Sequence, residues 1–132
     1  MSTIFTRIID GEIPGTFVWE DDRCVALLSI NPLKPGHTLV VPRQEVDHWL
    51  DCPADLRDRL MSVAQTIGGA IQAEWQPEKV GLMIAGLEVP HLHIHLVPIW
   101  GVSDLDFANA AASVPREELE ENAERIKRSL EA

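Results

Sequence analysis

The segment from His91 to Val97 alternates histidine with aliphatic residues in the order His-Leu-His-Ile-His-Leu-Val. Successive side chains of a β-strand point to opposite faces, so this two-residue period predicts a strand. Such a strand buries Leu92, Ile94 and Leu96 on one face and places three imidazoles on the other. Protonated imidazoles on one sheet face would repel each other, and β-branched residues would suit a purely structural strand better. The pattern therefore predicts an active site.

A fourth histidine is expected at the same site. His37 follows Pro35-Gly36 at the beginning of another predicted strand, so its side chain should stand at an end of the sheet. His48 precedes Trp49 in a linker, and we interpret it as a surface residue.

Two mechanisms could use such a cluster. In one, a neutral imidazole attacks phosphorus while the other histidines donate to the phosphate oxygens. In the other, two or three histidines bind zinc, which activates water. Metallohydrolases of phosphoesters usually add carboxylates to the ligand set. The run contains none, and the nearest one that follows is Asp104.

Composition limits the class of protein. The 132 residues are enough for one domain, residues 1–132, with a core that needs no disulfide or metal. The formal net charge of −10 argues against nucleic acid as the main partner. Cys24 and Cys52 form no CxxC pattern, so no disulfide framework is indicated. No apolar stretch approaches transmembrane length, so we expect a cytoplasmic protein with no membrane partner.

Hydrophobic periodicity predicts an α+β fold. It consists of a five-stranded, mostly antiparallel sheet, one long packing helix, and short N-terminal and C-terminal helices. The expected strands are residues 17–19, 24–28, 37–41, 80–85 and 91–97. The expected helices are residues 4–9, a long helix with Asp51 as N-cap that ends before Gln76-Pro77, and a helix from near Pro115. Residues 101–113 are expected to be irregular.

These segments resemble the histidine triad nucleotide-binding proteins. Residues 91–97 are similar to the family signature of three histidines that alternate with aliphatic residues. Residues 35–42 are similar to the family's other recurrent segment, and residues 4–14 and 20–24 to its opening helix and first hairpin. The resemblance covers about residues 3–98, which leaves a C-terminal extension with a helix at about 99–132.

The resemblance implies both a fold and a reaction. The fold is HIT-like, that is, of the histidine triad type, and two copies form a homodimer in which the subunits join their sheets. The reaction is attack on the α-phosphorus of a purine nucleotide or nucleotide conjugate through a covalent nucleotidyl-histidine, with no cofactor. His93 would be the nucleophile, His95 and His37 would contact the α-phosphate, and His91 would support the geometry.

The resemblance also implies a nucleotide pocket. Ser29 stands where the family commonly places an acidic or amide residue on the ribose hydroxyls, and Asn31 is assigned to the same pocket. Some family members bind zinc through N-terminal cysteines. Thr3 and Thr6 stand at those positions, so we expect no metal. The apolar base pocket would comprise Ile4, Phe5, Ile8, Leu27 and Ile30.

The loop before the histidines departs from the family pattern. Residues 85–90 form a shorter loop, and Glu88 stands where a hydroxyl would meet the phosphate or the leaving group. A carboxylate there repels an anionic leaving group and tolerates an amine. A nucleoside phosphoramidase is therefore the leading expectation. The alternatives are a dinucleoside polyphosphate hydrolase, a nucleotide-binding module with little catalysis and, last, a zinc hydrolase.

Overall fold

The computed structural model describes residues 2–132 and shows an α+β fold. A five-stranded antiparallel sheet has the strand order β1-β2-β3-β5-β4. The strands are β1 (Phe17–Glu20), β2 (Cys24–Leu28), β3 (Thr38–Pro42), β4 (Lys79–Met83) and β5 (Ile94–Ile99). The helices are α1 (Ile4–Ile9), α2 (Ala54–Trp75) and α3 (Arg116–Glu131). The predicted sheet, long helix and terminal helices are confirmed.

Both faces of the sheet are covered, so every residue of β2 and β3 is buried. Alternate side chains of each strand enter different apolar clusters, as the pleat of a strand requires. On one face Ala26 and Val40 pack in a cluster with residues of α2 and α3. The cluster on the other face lies beneath α1 and contains Phe5, Val25, Leu27, Leu39 and Val41.

The histidine run is divided between a loop and a strand. β5 begins at Ile94, so His91 and His93 precede the strand and only His95 belongs to it. The prediction of a strand from residue 91 is wrong in its start, because pairing of β5 with β3 begins at the pair Val40 and Ile94. The predicted burial of Leu92, Ile94 and Leu96 in one cluster is confirmed.

The pairing of β3 with β5 brings His37 to the other histidines. Leu39 lies opposite His95 in the antiparallel ladder. His37 is two residues before Leu39 and therefore shares its face, diagonally across from His95. His37 itself precedes β3, which begins at Thr38, one residue later than predicted.

The start of α2 corrects a second prediction. Pro53, not Asp51, occupies the N-cap position. Asp51 instead closes a short 3₁₀ turn over Trp49–Asp51, since its amide donates to the carbonyl of His48. At the other end Gln76 adopts the left-handed conformation with φ of 50°, and the helix stops there as predicted.

The C-terminal residues are more ordered than predicted. Residues 101–113 contain two short 3₁₀ turns, Val102–Leu105 and Phe107–Asn109. α3 follows and buries Ile126 in the apolar cluster that also contains Leu60 of α2. One domain over residues 1–132 stays a prediction. None of the helices in residues 2–132 is both long and apolar enough to cross a membrane.

Candidate active site

A cavity of about 420 Å³ beneath α1 brings most of the predicted site residues together. His37, His93 and His95 line it, whereas His91 does not. His48 is exposed and lies outside it, as expected for a surface residue. The residues predicted to contact a nucleotide all line this cavity: Ile4, Phe5, Ile8, Leu27, Ser29, Ile30, Asn31 and Glu88.

The orientation of His93 is set by a backbone carbonyl. Its Nδ1 lies 2.8 Å from the carbonyl oxygen of His91. A carbonyl only accepts hydrogen bonds, so Nδ1 carries the proton and donates it. In the neutral ring Nε2 then keeps its lone pair. His93 is therefore held in the tautomer that a nucleophile needs at Nε2.

A chain of hydrogen bonds sets the tautomers of His37 and His95. The amide of Leu33 donates to Nδ1 of His37 over 3.0 Å, so the proton of neutral His37 lies on Nε2. That Nε2 is 2.9 Å from Nδ1 of His95 and donates to it. Neutral His95 consequently carries its proton on Nε2, which is the N–H donor that remains for a ligand.

His91 is fully buried and is held at both ring nitrogens. Nε2 donates to the carbonyl of Pro42 over 2.7 Å, and Nδ1 lies 2.6 Å from Oγ1 of Thr3. Thr3 also caps α1 by accepting from the amide of Thr6. The Thr3 amide and the Thr6 hydroxyl both donate to Glu45. The ring of His91 is thus fixed by contacts outside the cavity.

Burial keeps these imidazoles neutral. It lowers the pKa of His37 to about 3, and repulsion from His95 and His93 adds to the effect. It lowers the pKa of His95 to about 4, with a further contribution from His93. Burial also lowers the pKa of His91, although the Pro42 carbonyl and the Glu45 carboxylate oppose this. At pH 7 His95 therefore offers the cavity a neutral N–H donor rather than an imidazolium charge.

Comparison with known proteins gives the family. The sequence model of the HIT domain matches residues 10–100. The chain belongs to the HIT family. HIT family proteins bind nucleotides, which agrees with the predicted resemblance.

Individual HIT relatives match most of the chain. A crystal structure of a HIT-like protein from Bartonella henselae has a TM-score of 0.84 and 30% identity, covering 97% of this chain and 96% of that one. A hypothetical histidine triad nucleotide-binding protein from Sulfolobus tokodaii has a TM-score of 0.82 and 27% identity, covering 96% and 91%. Adenylylsulfatase HINT3 from Arabidopsis thaliana is 31% identical over 100 residues, which are 72% of this chain and 51% of that protein.

The C-terminal segment supplies part of the cavity that the sequence did not indicate. Phe107, Ala110 and Ala111 line it, although they lie beyond the residues that match the HIT domain. Leu39 and Val89 were also missed. The segment has no hydrophobic periodicity, and only its contacts in the folded chain place it at the site.

Asn31 holds the C-terminal segment in place. Its Nδ2 donates to the carbonyls of Ala111 over 3.1 Å and Ala112 over 2.8 Å. The Ala111 amide in turn donates to the carbonyl of Pro32 over 3.0 Å. Asn31 lines the cavity as predicted, but its amide N–H groups bind the protein's own backbone. Ser29 is left as the hydroxyl on this wall.

A second, smaller cavity adjoins the first. Its volume is about 130 Å³, and its walls include Ala85, Gly86 and Leu87 of the short loop. The two cavities have four lining residues in common, so His93 and His95 lie at their junction. The shared residues are Glu88, His93, His95 and Phe107.

We predict that acid destabilises the protein before its carboxylates titrate. The pKa values of His37 and His95 are lower in the folded chain than the ordinary value of 6.5, so the unfolded chain binds more protons below that pH. Protonation of these two histidines in the unfolded chain therefore costs little stability above pH 6.5. Below that value, the free energy of unfolding decreases as the pH falls. At pH 5 each should lower the free energy of unfolding by about 2 kcal/mol.

Urea unfolding at pH 7 and pH 5 measures this loss. His95→Asn offers an acceptor to His37 without titrating, so its loss between the two pH values should be about half that of the wild type. Equal stability of the wild-type protein at both pH values would contradict the prediction.

Proposed function

We propose that this HIT protein is a nucleotide hydrolase or transferase that attacks the α-phosphorus of a purine nucleotide conjugate through His93. The observation that carries the proposal is the hydrogen bond from Nδ1 of His93 to the His91 carbonyl. It leaves a lone pair on Nε2 of a residue that lines the nucleotide-sized cavity.

The proposed reaction has two steps. First, Nε2 of His93 forms a bond to phosphorus while the bond to the leaving group breaks, and the leaving group takes up a proton from the solvent. The Nε2–H of His95 stabilises the charge on the phosphate oxygens. Water then attacks phosphorus and gives up a proton to the solvent, the bond to His93 breaks, and the nucleoside monophosphate is released.

The walls of the larger cavity suit a purine nucleoside. The aromatic ring of Phe5 lies next to His93, with ring centroids 4.9 Å apart, and aliphatic side chains of α1 and β2 complete an apolar surface for a base. The Ser29 hydroxyl accepts from the Asn31 amide over 3.3 Å and can still donate to a ribose. We also propose that the protein is cytoplasmic.

A nucleoside phosphoramidase is the activity that Glu88 favours. Glu88 lines both cavities beside His93 and His95, where a carboxylate disfavours an anionic leaving group. The name of the Arabidopsis relative, adenylylsulfatase, supports hydrolysis of a nucleotide conjugate in general. A dinucleoside polyphosphate hydrolase and a binding module with little catalysis are the alternatives.

His93→Ala tests the nucleophile. We expect turnover of adenosine 5′-phosphoramidate to fall by more than about 10⁴-fold, the upper end of what general acid–base catalysis contributes. AMP affinity should stay within about tenfold, because the apolar walls and His95 remain; a tenfold change is about 1.4 kcal/mol. Rapid-quench mass spectrometry of the wild type should show an adenylylated peptide that contains residue 93. Retained turnover in the variant, with no adenylylated wild-type peptide, would remove the covalent mechanism.

Glu88→Ser tests the charge at the leaving-group side. The wild type should cleave adenosine 5′-phosphoramidate faster than diadenosine triphosphate, and the substitution should narrow that ratio severalfold. Because Glu88 is exposed, its repulsion is screened by salt. The wild-type ratio should therefore fall as ionic strength rises, and that of Glu88→Ser should not. A wild-type ratio of one or below would contradict the proposal.

We also propose a homodimer. β4 lies at an edge of the sheet, and an open strand edge with apolar neighbours is prone to association. A groove of about 700 Å³ between α2 and β4 is lined in part by Met61 and Leu82, which are 45% and 43% exposed.

Light scattering at micromolar concentration tests the homodimer. The wild type should have twice the subunit mass and Leu82→Glu the mass of one subunit, because the substitution puts a charge into the joined surface. Val102→Glu is the matched control, since Val102 is 84% exposed and lies outside the groove. A wild-type mass of one subunit would exclude the dimer.

A further inference from the structure

The segment that carries Phe107 is a fixed wall of the site. Asp106 accepts from the Ala108 amide through its carboxylate over 2.9 Å, and the Asn109 side chain donates to the Ser103 carbonyl over 3.0 Å. Further along, the segment is tied to Asn31 and to the Pro32 carbonyl, as described above. These bonds hold both ends of the 3₁₀ turn at Phe107, so the ring keeps one place over the histidines.

Phe107 stands where the two cavities meet. Its ring centroid is 5.2 Å from that of His95, and the two planes are inclined by 65°. The side chain lines both cavities, and 46% of the residue is exposed. A large apolar side chain that is packed against a histidine and half open towards two cavities is placed to contact a ligand.

The two cavities differ greatly in size. Pockets for drug-sized ligands have volumes of roughly 300–1,000 Å³. The larger cavity, of about 420 Å³, falls in this range, and the smaller one, of about 130 Å³, does not. The larger cavity therefore has the volume of a nucleotide site, and the smaller one has the volume of a small group only.

We propose that Phe107 determines specificity by confining the leaving group to the smaller cavity. The inference rests on the proposed function and adds the size of the group that His93 displaces. Ammonia or a small amine leaves as the bond from His93 to phosphorus forms, and its nitrogen takes up a proton from the solvent. The nucleoside diphosphate that diadenosine triphosphate would release is too large for this cavity while the ring of Phe107 is in place.

A substrate pair of different leaving-group size tests this inference. Adenosine 5′-phosphoramidate and diadenosine triphosphate both yield the same adenylyl group on His93, so the ratio of their kcat/KM values isolates the leaving group. In Phe107→Ala the two cavities merge, and the ratio should shift towards the triphosphate by at least about tenfold, the low end of what pocket shape contributes. Phe107→Leu should shift it less.

Two controls and one further variant test whether the shift reflects the size of the leaving group, rather than its charge or a general disturbance of the segment that carries Phe107. Val102→Ala changes a residue in the same segment that lines neither cavity, and it should leave the ratio unchanged. The shift in Phe107→Ala should persist at high salt, unlike the effect of Glu88. Phe107→Trp fills the junction instead of emptying it, so it should slow release of a small primary amine such as ethylamine relative to ammonia.

The outcomes distinguish this inference from the proposed function. If the wild type cleaves neither substrate and forms no adenylylated peptide, the proposed function fails. If the wild type cleaves the phosphoramidate, and neither Phe107→Ala nor Phe107→Trp changes leaving-group preference, the proposed function stands and the role of Phe107 is wrong.

Discussion

The short antiparallel pairing between β3 and β5 organises the site. Three residue pairs join strands that lie more than fifty positions apart in the chain, and Leu39 opposite His95 is the middle pair. This register places His37 diagonally from His95 and lets their ring nitrogens come within 2.9 Å. A shift by one residue would turn the imidazoles towards α2 and the aliphatic side chains towards the cavity. Burial on both faces prevents such a shift.

The protein has a net charge of −10, which disfavours the approach of an anionic ligand. In the proposed function, an anionic phosphate enters a cavity in which His37 and His95 are neutral at pH 7, because burial lowers their pKa values. In the proposed function, attraction therefore comes from an oriented N–H group, the Nε2–H of His95, whose tautomer is set by the Leu33 amide through His37. A bound phosphate raises the pKa of a neighbouring imidazole, so positive charge can develop after binding rather than before it.

The sequence predicted what periodicity and burial determine. Alternation in residues 91–97 was sufficient to separate Leu92 and Ile94 from the histidines, and the position of His37 after a turn indicated its place at the sheet end. The exact start of β5 was not predictable, because it depends on the partner strand. The wall around Phe107 was missed for another reason: it is built by contacts from Asn31 and Pro32 to a segment without a repeating pattern. The prediction of Asp51 as the N-cap of α2 was wrong because Asp51 belongs to a separate 3₁₀ turn.

The helix α1 contributes both to the wall of the larger cavity and, through the hydroxyl of Thr3, to the position of His91. The helix places Ile4, Phe5 and Ile8 in the wall of the larger cavity. The hydroxyl of Thr3, its N-cap residue, lies within hydrogen-bond distance of Nδ1 of His91. The carbonyl of that same residue aligns His93. In the proposed function, a base that displaced α1 would therefore also disturb the hydrogen bond that orients His93. Under that proposal, a nucleotide whose base fits the cavity poorly would react more slowly as well as bind more weakly.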